Sequence, residues 1–237
     1  TDPDGDDINF IISSLPENGT LYIEGSAKNE HENGFSLPIL FNDNNLKVSA
    51  VGGNNLEFSN DPENIDNNTL KITNNGNDWE SIEIILDVPI SIKTNEDNKY
   101  SVKIYSSDSA EHTLLMKLED SPDGEYIELS KPFSGIGWNT VTFDMSTVTS
   151  QAWPNPGAVW DGNADFKKLV FFIDGGSSIQ GEFHIDDILK TSQNIIYENK
   201  ALELNDLPKT LTDSEIVYKS NSDTATFDSF TFKVNDG

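Results

Sequence analysis

The chain has 237 residues, 35% of them hydrophobic and 10% aromatic, and it carries 41 acidic against 15 basic residues for a formal net charge of −26. There is enough apolar material for packed cores and too much chain for one small sandwich, so wholesale disorder is excluded. The charge argues against nucleic acid and anionic lipid as partners, the absence of cysteine rules out disulfides and thiol chemistry, and no apolar run approaches the ~20 residues of a membrane-spanning helix.

Short runs rich in β-branched and aromatic residues follow one another along the chain. They are Ile8–Ile12, Thr20–Ile23, Leu70–Ile72, Ile82–Leu86, Tyr100–Tyr105, Thr113–Leu118, Tyr126–Leu129, Thr140–Phe143, Leu169–Ile173 and Phe183–Ile188. Turn clusters at Pro16–Gly19, Asn74–Asp78, Pro122–Gly124 and Asp161–Asn163 separate them, and long helical periodicity is missing. The pattern predicts an all-β protein built from sandwiches or jelly rolls.

The two ends carry matched motifs. Asp2-Pro3-Asp4-Gly5-Asp6 leads into a strand and then Ser14-Leu15-Pro16-Glu17-Asn18-Gly19-Thr20-Leu21-Tyr22, while the last stretch closes on Asp228-Ser229-Phe230-Thr231-Phe232-Lys233-Val234-Asn235-Asp236-Gly237. Together they resemble a bacterial cadherin-like, immunoglobulin-type tandem repeat. Such a repeat would continue from Thr20–Ile23 within a few residues into a segment like Tyr197–Leu204, but a long stretch intervenes. We expect residues 1–35 and 191–237 to form a discontinuous cadherin-like sandwich, and residues 36–190 to be a guest domain placed at a loop tip. The chain opens inside a motif, which predicts a longer parent protein with neighbouring repeats or domains.

The guest runs in order through Leu37-Pro38-Ile39-Leu40-Phe41-Asn42-Asp43, Leu70-Lys71-Ile72-Thr73, Tyr100-Ser101-Val102-Lys103-Ile104-Tyr105, Trp138-Asn139-Thr140-Val141-Thr142-Phe143-Asp144, Lys168-Leu169-Val170-Phe171-Phe172-Ile173-Asp174 and Phe183-His184-Ile185-Asp186-Asp187-Ile188. That ordered set resembles the jelly-roll carbohydrate-binding modules of glucanases and surface glycan-binding proteins. The resemblance implies a two-sheet β-sandwich that binds a polysaccharide along one sheet or in the loops at its edge.

Sugar rings stack their C–H faces on aromatic rings, while their hydroxyls need hydrogen-bonding side chains alongside. Trp153 and Trp160 share a loop broken by two prolines and two glycines, and both are expected to stack on the ligand. Trp79, after an Asn/Gly-rich turn, is read equally as core or site. Trp138 begins an alternating strand and is expected in the core, as in the resembled family. Lys117, between Met116 and Leu118, and Asp161, beside Trp160, are candidate hydroxyl partners; Tyr105, His112 and Lys168 follow.

Two acidic sets suggest calcium. Asp2, Asp4, Asp6, Asp7 and Asp236 would be shared with neighbouring repeats. In the guest, Asn42, Asp43 and Asp187 would meet where the first and last strands pair, as structural calcium does in the resembled modules. Glycoside hydrolysis needs two carboxylates held in opposition. The adjacent or near-adjacent pairs Asp78 with Glu80 and Glu119 with Asp120 do not supply that on extended chain, and no metal-ligand histidine spacing or nucleophile elbow is present. The expectation is therefore an extracellular or cell-surface, monomeric, non-catalytic binder of a neutral β-glucan such as laminarin. A spacer or adhesin repeat without a glycan ligand is the alternative, and a glycoside hydrolase or lyase is a remoter one.

Overall fold

A computed structural model of the chain describes residues 9–17, 19–28, 35–42, 46–65, 67–193, 196–204, 207–211, 216–220 and 229–235. Two compact units emerge, one from Thr1–Ser26 with Tyr197–Gly237 and the other from Ala27–Ile196. The terminal acids Asp2, Asp4, Asp6, Asp7 and Asp236 lie outside the described residues.

The longer unit is a jelly-roll sandwich of two five-stranded antiparallel sheets. Strands β4 (Asn55–Asn60), β5 (Asn68–Asn75), β7 (Lys99–Ser106), β10 (Gly137–Asp144) and β12 (Gln180–Lys190) make the first, in the order β10-β7-β12-β5-β4. Strands β3 (Val48–Val51), β6 (Ser81–Ile92), β8 (Glu111–Glu119), β9 (Ile127–Ser134) and β11 (Ala164–Ile173) make the second, in the order β3-β6-β11-β8-β9. Alternation sends every second side chain inward. Tyr100, Val102 and Ile104 of β7 meet Leu114, Met116 and Leu118 of β8, Ile82, Ile84 and Leu86 of β6 and Phe171 and Ile173 of β11 in one buried cluster. Each such side chain, fully buried, contributes roughly 1.5–3 kcal/mol of transfer free energy.

The first and last segments of this unit are joined. Ile39 and Ile188 exchange backbone hydrogen bonds of 2.8 and 3.0 Å, and Gln193 Nε2 donates to the Leu37 carbonyl at 3.3 Å. The shorter unit has two three-stranded sheets. One is β14-β1-β16, from β1 (Asn9–Ile12), β14 (Lys209–Leu211) and β16 (Phe232–Asn235); the other is β13-β2-β15, from β2 (Gly19–Lys28), β13 (Ile196–Ala201) and β15 (Ile216–Ser220). Ile12, Leu21 and Leu202 form its buried centre, with Leu15, Leu207, Ile216 and Phe230 against them. Residues on either side of the long intervening segment are thus direct neighbours, and Leu202 N–H donates to the Leu21 carbonyl at 2.9 Å.

His112 sits on the inward side of β8, buried between the rings of Phe133 and Phe183 at 5.4 and 5.1 Å. The sugar-facing role expected for it is therefore not available. Its Nδ1 lies 2.7 Å from Asp174 Oδ2 and its Nε2 3.1 Å from Asp108 Oδ1. A carboxylate only accepts, so two carboxylates against the two ring nitrogens favour the doubly protonated imidazolium. Burial works against that charge, but the bonds from Asp174 and Asp108 outweigh it and raise the pKa above the ordinary histidine value. A raised folded-state pKa stabilises fully below the unfolded value and loses its contribution as pH climbs through the folded one. We expect the His112 ring protons, followed by NMR, to titrate above the ordinary value of about 6.5, with Asp174→Asn lowering the midpoint. Stability should fall as pH rises past neutrality, and a midpoint at or below the ordinary value would refute the assignment.

Candidate functional site

The side of the second sheet turned away from the core carries the most exposed aromatic surface of the longer unit. Across its middle, Val170 of β11 stands opposite Glu83 on β6 and Lys117 on β8, and Lys117 opposite Glu128 on β9. Towards one end, Phe172 pairs with Ser81 and Leu115; towards the other, Lys168 pairs with Ile85 and Glu119. Val170 alternates with Leu169 and Phe171 of the core, yet it is only 1% exposed, so neighbouring side chains on this outer face close over it.

Trp79 stands at the Phe172 end. Its ring meets Phe172 edge to face at 5.7 Å and 86°, and it remains 56% exposed. A Cβ added at Gly175 or Gly176 would come within 3.1 Å of the indole, so a glycine turn is the floor on which the ring rests. Of the two readings open for Trp79, the structure selects the exposed one.

Trp153 stands at the Lys168 end and is 54% exposed. It is bridged to Tyr126: Tyr126 N–H donates to the Trp153 carbonyl at 2.7 Å and Ala152 N–H to the Tyr126 carbonyl at 2.6 Å. Residues opposed across such a bridge project to one side. Tyr126 is on the outer face, because Lys117 Nζ lies 5.2 Å from its ring centre and its hydroxyl 3.5 Å from Asp120 Oδ1. The rows of Phe172 and Lys168 are four residues apart, roughly 13 Å of strand.

Between the two indoles lies a chain of charges. Glu119 receives Lys117 Nζ on Oε1 at 2.8 Å and Lys168 Nζ on Oε2 at 2.7 Å, while Glu83 and Asp120 flank Lys168 at 3.7 and 4.0 Å. Burial opposes ionisation of Glu119, but the bonds from Lys117 and Lys168 prevail and hold its pKa below the ordinary value. Burial likewise opposes the Lys168 charge and is outweighed by Glu119, Glu83 and Asp120, so its pKa is raised. Lys117 thus takes its place on the face.

The expectations for Trp160 and Trp138 need correction. Trp160 is 5% exposed and part of the core cluster, so it offers no face to a sugar. The loop closes as a hairpin: Ser150 bridges Val159, Gln151 N–H donates to the Ala158 carbonyl at 2.8 Å and Trp160 N–H to the Thr149 carbonyl at 3.1 Å. Alternation then leaves Val159 in solvent and turns Trp160 inward. Asp161 caps its own turn, with Oδ1 accepting from Asn163 N–H at 2.9 Å and its carbonyl accepting from Thr94 Oγ1 at 3.4 Å. Trp138 is half-buried on the outer side of the first sheet rather than in the core, where it packs on Tyr105 at 5.6 Å and donates its indole N–H to Asp61 Oδ1 at 3.0 Å. Tyr126, Glu83 and Phe172 on this face were not singled out from the sequence, and Glu119 and Asp120 were weighed only as a carboxylate pair. Alternation alone would have placed Glu119 and Phe172 on one side with Lys117 and Lys168 once the strand pairing was known.

Of the proposed calcium ligands, Asp43 lies outside the described residues, Asn42 Oδ1 accepts from Asn68 N–H at 3.3 Å, and Asp187 pairs with Lys103 Nζ at 2.6 Å. Among the described residues no group of three or more histidine, cysteine, aspartate or glutamate side chains is arranged around a metal position. One atom nevertheless fits a hard cation. Asp186 is buried, its Oδ2 accepts from Asn67 Nδ2 at 2.8 Å, and its Oδ1 has no hydrogen-bond partner. Burial, reinforced by the neighbouring Asp187 charge, pushes the Asp186 pKa up to about 8. A buried carboxylate oxygen without a donor is a group that calcium would satisfy.

The burial of Trp160 carries its own prediction. Its indole N–H has no partner, so Trp160→Phe loses no hydrogen bond. We expect Trp160→Ala to cost about 3–5 kcal/mol in chemical denaturation and Trp160→Phe distinctly less; an alanine variant as stable as the parent would return this residue to the surface.

Among the described residues no helix is long and apolar enough to cross a membrane. No protein-family model and no curated protein sequence matches the chain. Solved structures do. A family 11 carbohydrate-binding module of a cellulosomal cellulase of Clostridium thermocellum aligns at 16% identity and TM-score 0.43, covering 68% of this chain and 97% of that one. The C-terminal family 22 carbohydrate-binding module of Clostridium thermocellum Xyn10B aligns at 15% identity and TM-score 0.43, covering 70% and 99%. A carbohydrate-binding module specific for non-crystalline cellulose aligns at 12% identity and TM-score 0.46, covering 69% and 97%. These three are carbohydrate-binding modules, and an exo-β-agarase aligns as well, over 25% of its own length.

Proposed function

We propose that the chain is a non-catalytic glycan-binding protein, whose ligand lies along the outer face of the second sheet from Trp79 to Trp153. The observation that carries this reading is the pair of half-exposed indoles at opposite ends of one sheet face, with Tyr126, Lys117, Glu119 and Lys168 between them. Indole faces take the C–H sides of sugar rings, and the ammonium and carboxylate groups serve as donors and acceptors for hydroxyls. A neutral β-glucan such as laminarin suits a face on which Glu83, Glu119, Glu128 and Asp120 outnumber the lysines, since an anionic glycan would be repelled. Catalysis by these acids is disfavoured. Glu119 is held ionised between two lysines, whereas a glycosidase acid needs a raised pKa, and Asp186, whose pKa is raised, is buried on the other sheet. In this reading the discontinuous unit is a cadherin-like repeat that presents the binding unit outside the cell, as part of a longer monomeric protein.

Affinity electrophoresis against glucans, mannans, xylans and alginate tests the assignment. Retardation is expected on a neutral β-glucan, and Trp79→Ala and Trp153→Ala should each weaken binding by about 1–3 kcal/mol, roughly five- to 150-fold. No retardation on any polysaccharide would leave the spacer alternative, and unchanged affinity in both variants would move the site off this face.

We propose further that Asp186 and Asp187, with Asn42 nearby on the first segment, hold a structural calcium. Calcium should then raise the melting temperature of the parent over that in chelator, and Asp186→Asn should abolish the difference. Identical melting of the parent in calcium and chelator would dispose of the site.

A further inference from the structure

Trp79 holds a backbone conformation that a bulky residue rarely adopts, with φ of 60°. Something must hold it there. The next residue, Glu80, is a carboxylate only 3% exposed, and its hydrogen bonds return to the turn that precedes Trp79. Asn75 N–H lies 3.0 Å from both carboxylate oxygens, Gly76 N–H 3.3 Å from Oε2 and Asn77 Nδ2 3.3 Å from Oε1. The turn is tied on its other sides as well. Asn75 Nδ2 donates to the Gly53 carbonyl at 2.6 Å, Gln180 Nε2 to the Asn75 carbonyl at 3.1 Å, and Ser178 Oγ to Asp78 Oδ1 at 2.6 Å. Close approach needs glycines: a Cβ on Gly52 would reach the Trp79 carbonyl at 2.9 Å, and one on Gly53 would reach Asn77 Nδ2 at 2.5 Å.

We propose that Glu80 is a positioning residue for the binding face: it clamps the Asn75–Asp78 turn so that Trp79 is fixed on the Gly175–Gly176 floor before any ligand arrives. The inference rests on Trp79 being a ligand contact, but it assigns its role to a buried group that no sugar touches. A ring fixed in advance loses little conformational freedom on binding, so the clamp acts on affinity through Trp79 alone. Releasing it lets the backbone at Trp79 relax to negative φ and swings the indole away from Phe172.

Two variants approach the ring from different sides. Glu80→Gln replaces one acceptor oxygen by an amide that opposes the N–H groups of Asn75 and Gly76. Gly176→Ala, at φ +82° and with its new Cβ 3.1 Å from Trp79 Cζ2, displaces the ring from its floor. The chain is labelled with fluorotryptophan, and the Trp79 line is identified by its loss in Trp79→Ala. In the fluorine spectrum we expect both variants to shift or broaden the Trp79 line while those of Trp138, Trp153 and Trp160 stay in place. In titrations with laminarin, both should weaken binding about tenfold and neither should weaken it further in a Trp79→Ala background.

A Trp79 line unmoved in both variants would overturn the clamp, as would a loss of affinity that persists without Trp79. Movement of the Trp79 line with no laminarin binding by the parent would uphold the clamp and count against the glucan reading. Laminarin binding by Trp79→Ala equal to that of the parent would remove Trp79 from the site and the clamp with it.

Discussion

The irregularity in β11 between Phe166 and Lys168 decides which of its residues face the core and which face outward. Before it, Phe166 points into the core; after it, Leu169, Phe171 and Ile173 do. Strict alternation from Phe166 would instead have sent Lys168, Val170 and Phe172 inward and Leu169 and Phe171 into solvent. The shift of register reverses that parity. Three large apolar groups are thereby buried, and an ammonium reaches the outer side, opposite Glu119. The pairing of Phe172 with Leu115, the support beneath Trp79 and the charge chain through Lys117 all inherit this one change of phase.

Glu119 is the electrostatic centre of the same face. In a chain of net charge −26, a buried carboxylate with Glu83, Glu128 and Asp120 around it is costly unless cations are held close. Lys117 supplies one from two residues back on the same strand, and Lys168 supplies the other from β11, placed opposite Glu119 by register. The network holds Lys117, Glu119 and Lys168 largely desolvated, with their donors and acceptors fixed against one another.

Much of the architecture was legible in the sequence because alternation is a local signal. The predicted strands at Tyr100–Tyr105, Thr113–Leu118 and Phe183–Ile188 fall inside β7, β8 and β12, and the sandwich follows from burying their apolar sides. The proposed binding face was legible only in part. Lys117 and Glu119 share one side of β8 by alternation alone, but the approach of Lys168 to Glu119 and of Tyr126 to Lys117 comes from pairings beyond the strand, which no single-strand pattern contains. Trp153 and Trp160 share a loop of the same composition, and only the Ser150–Val159 bridge separates them into one exposed and one buried ring. Asp186 was passed over for Asp187 because a second register shift, between Asp186 and Leu189, hides which of the two acids keeps a buried oxygen without a donor.

The hydrogen-bonded meeting of Ile39 with Ile188, and of Leu37 with Gln193, bears on how such a protein comes to exist. A sandwich whose two ends are stitched together asks of its host only a pair of adjacent attachment points, as any hairpin turn provides. It is in that sense a cassette. Recombination could exchange one such unit for another at the same pair of joints without breaking either core.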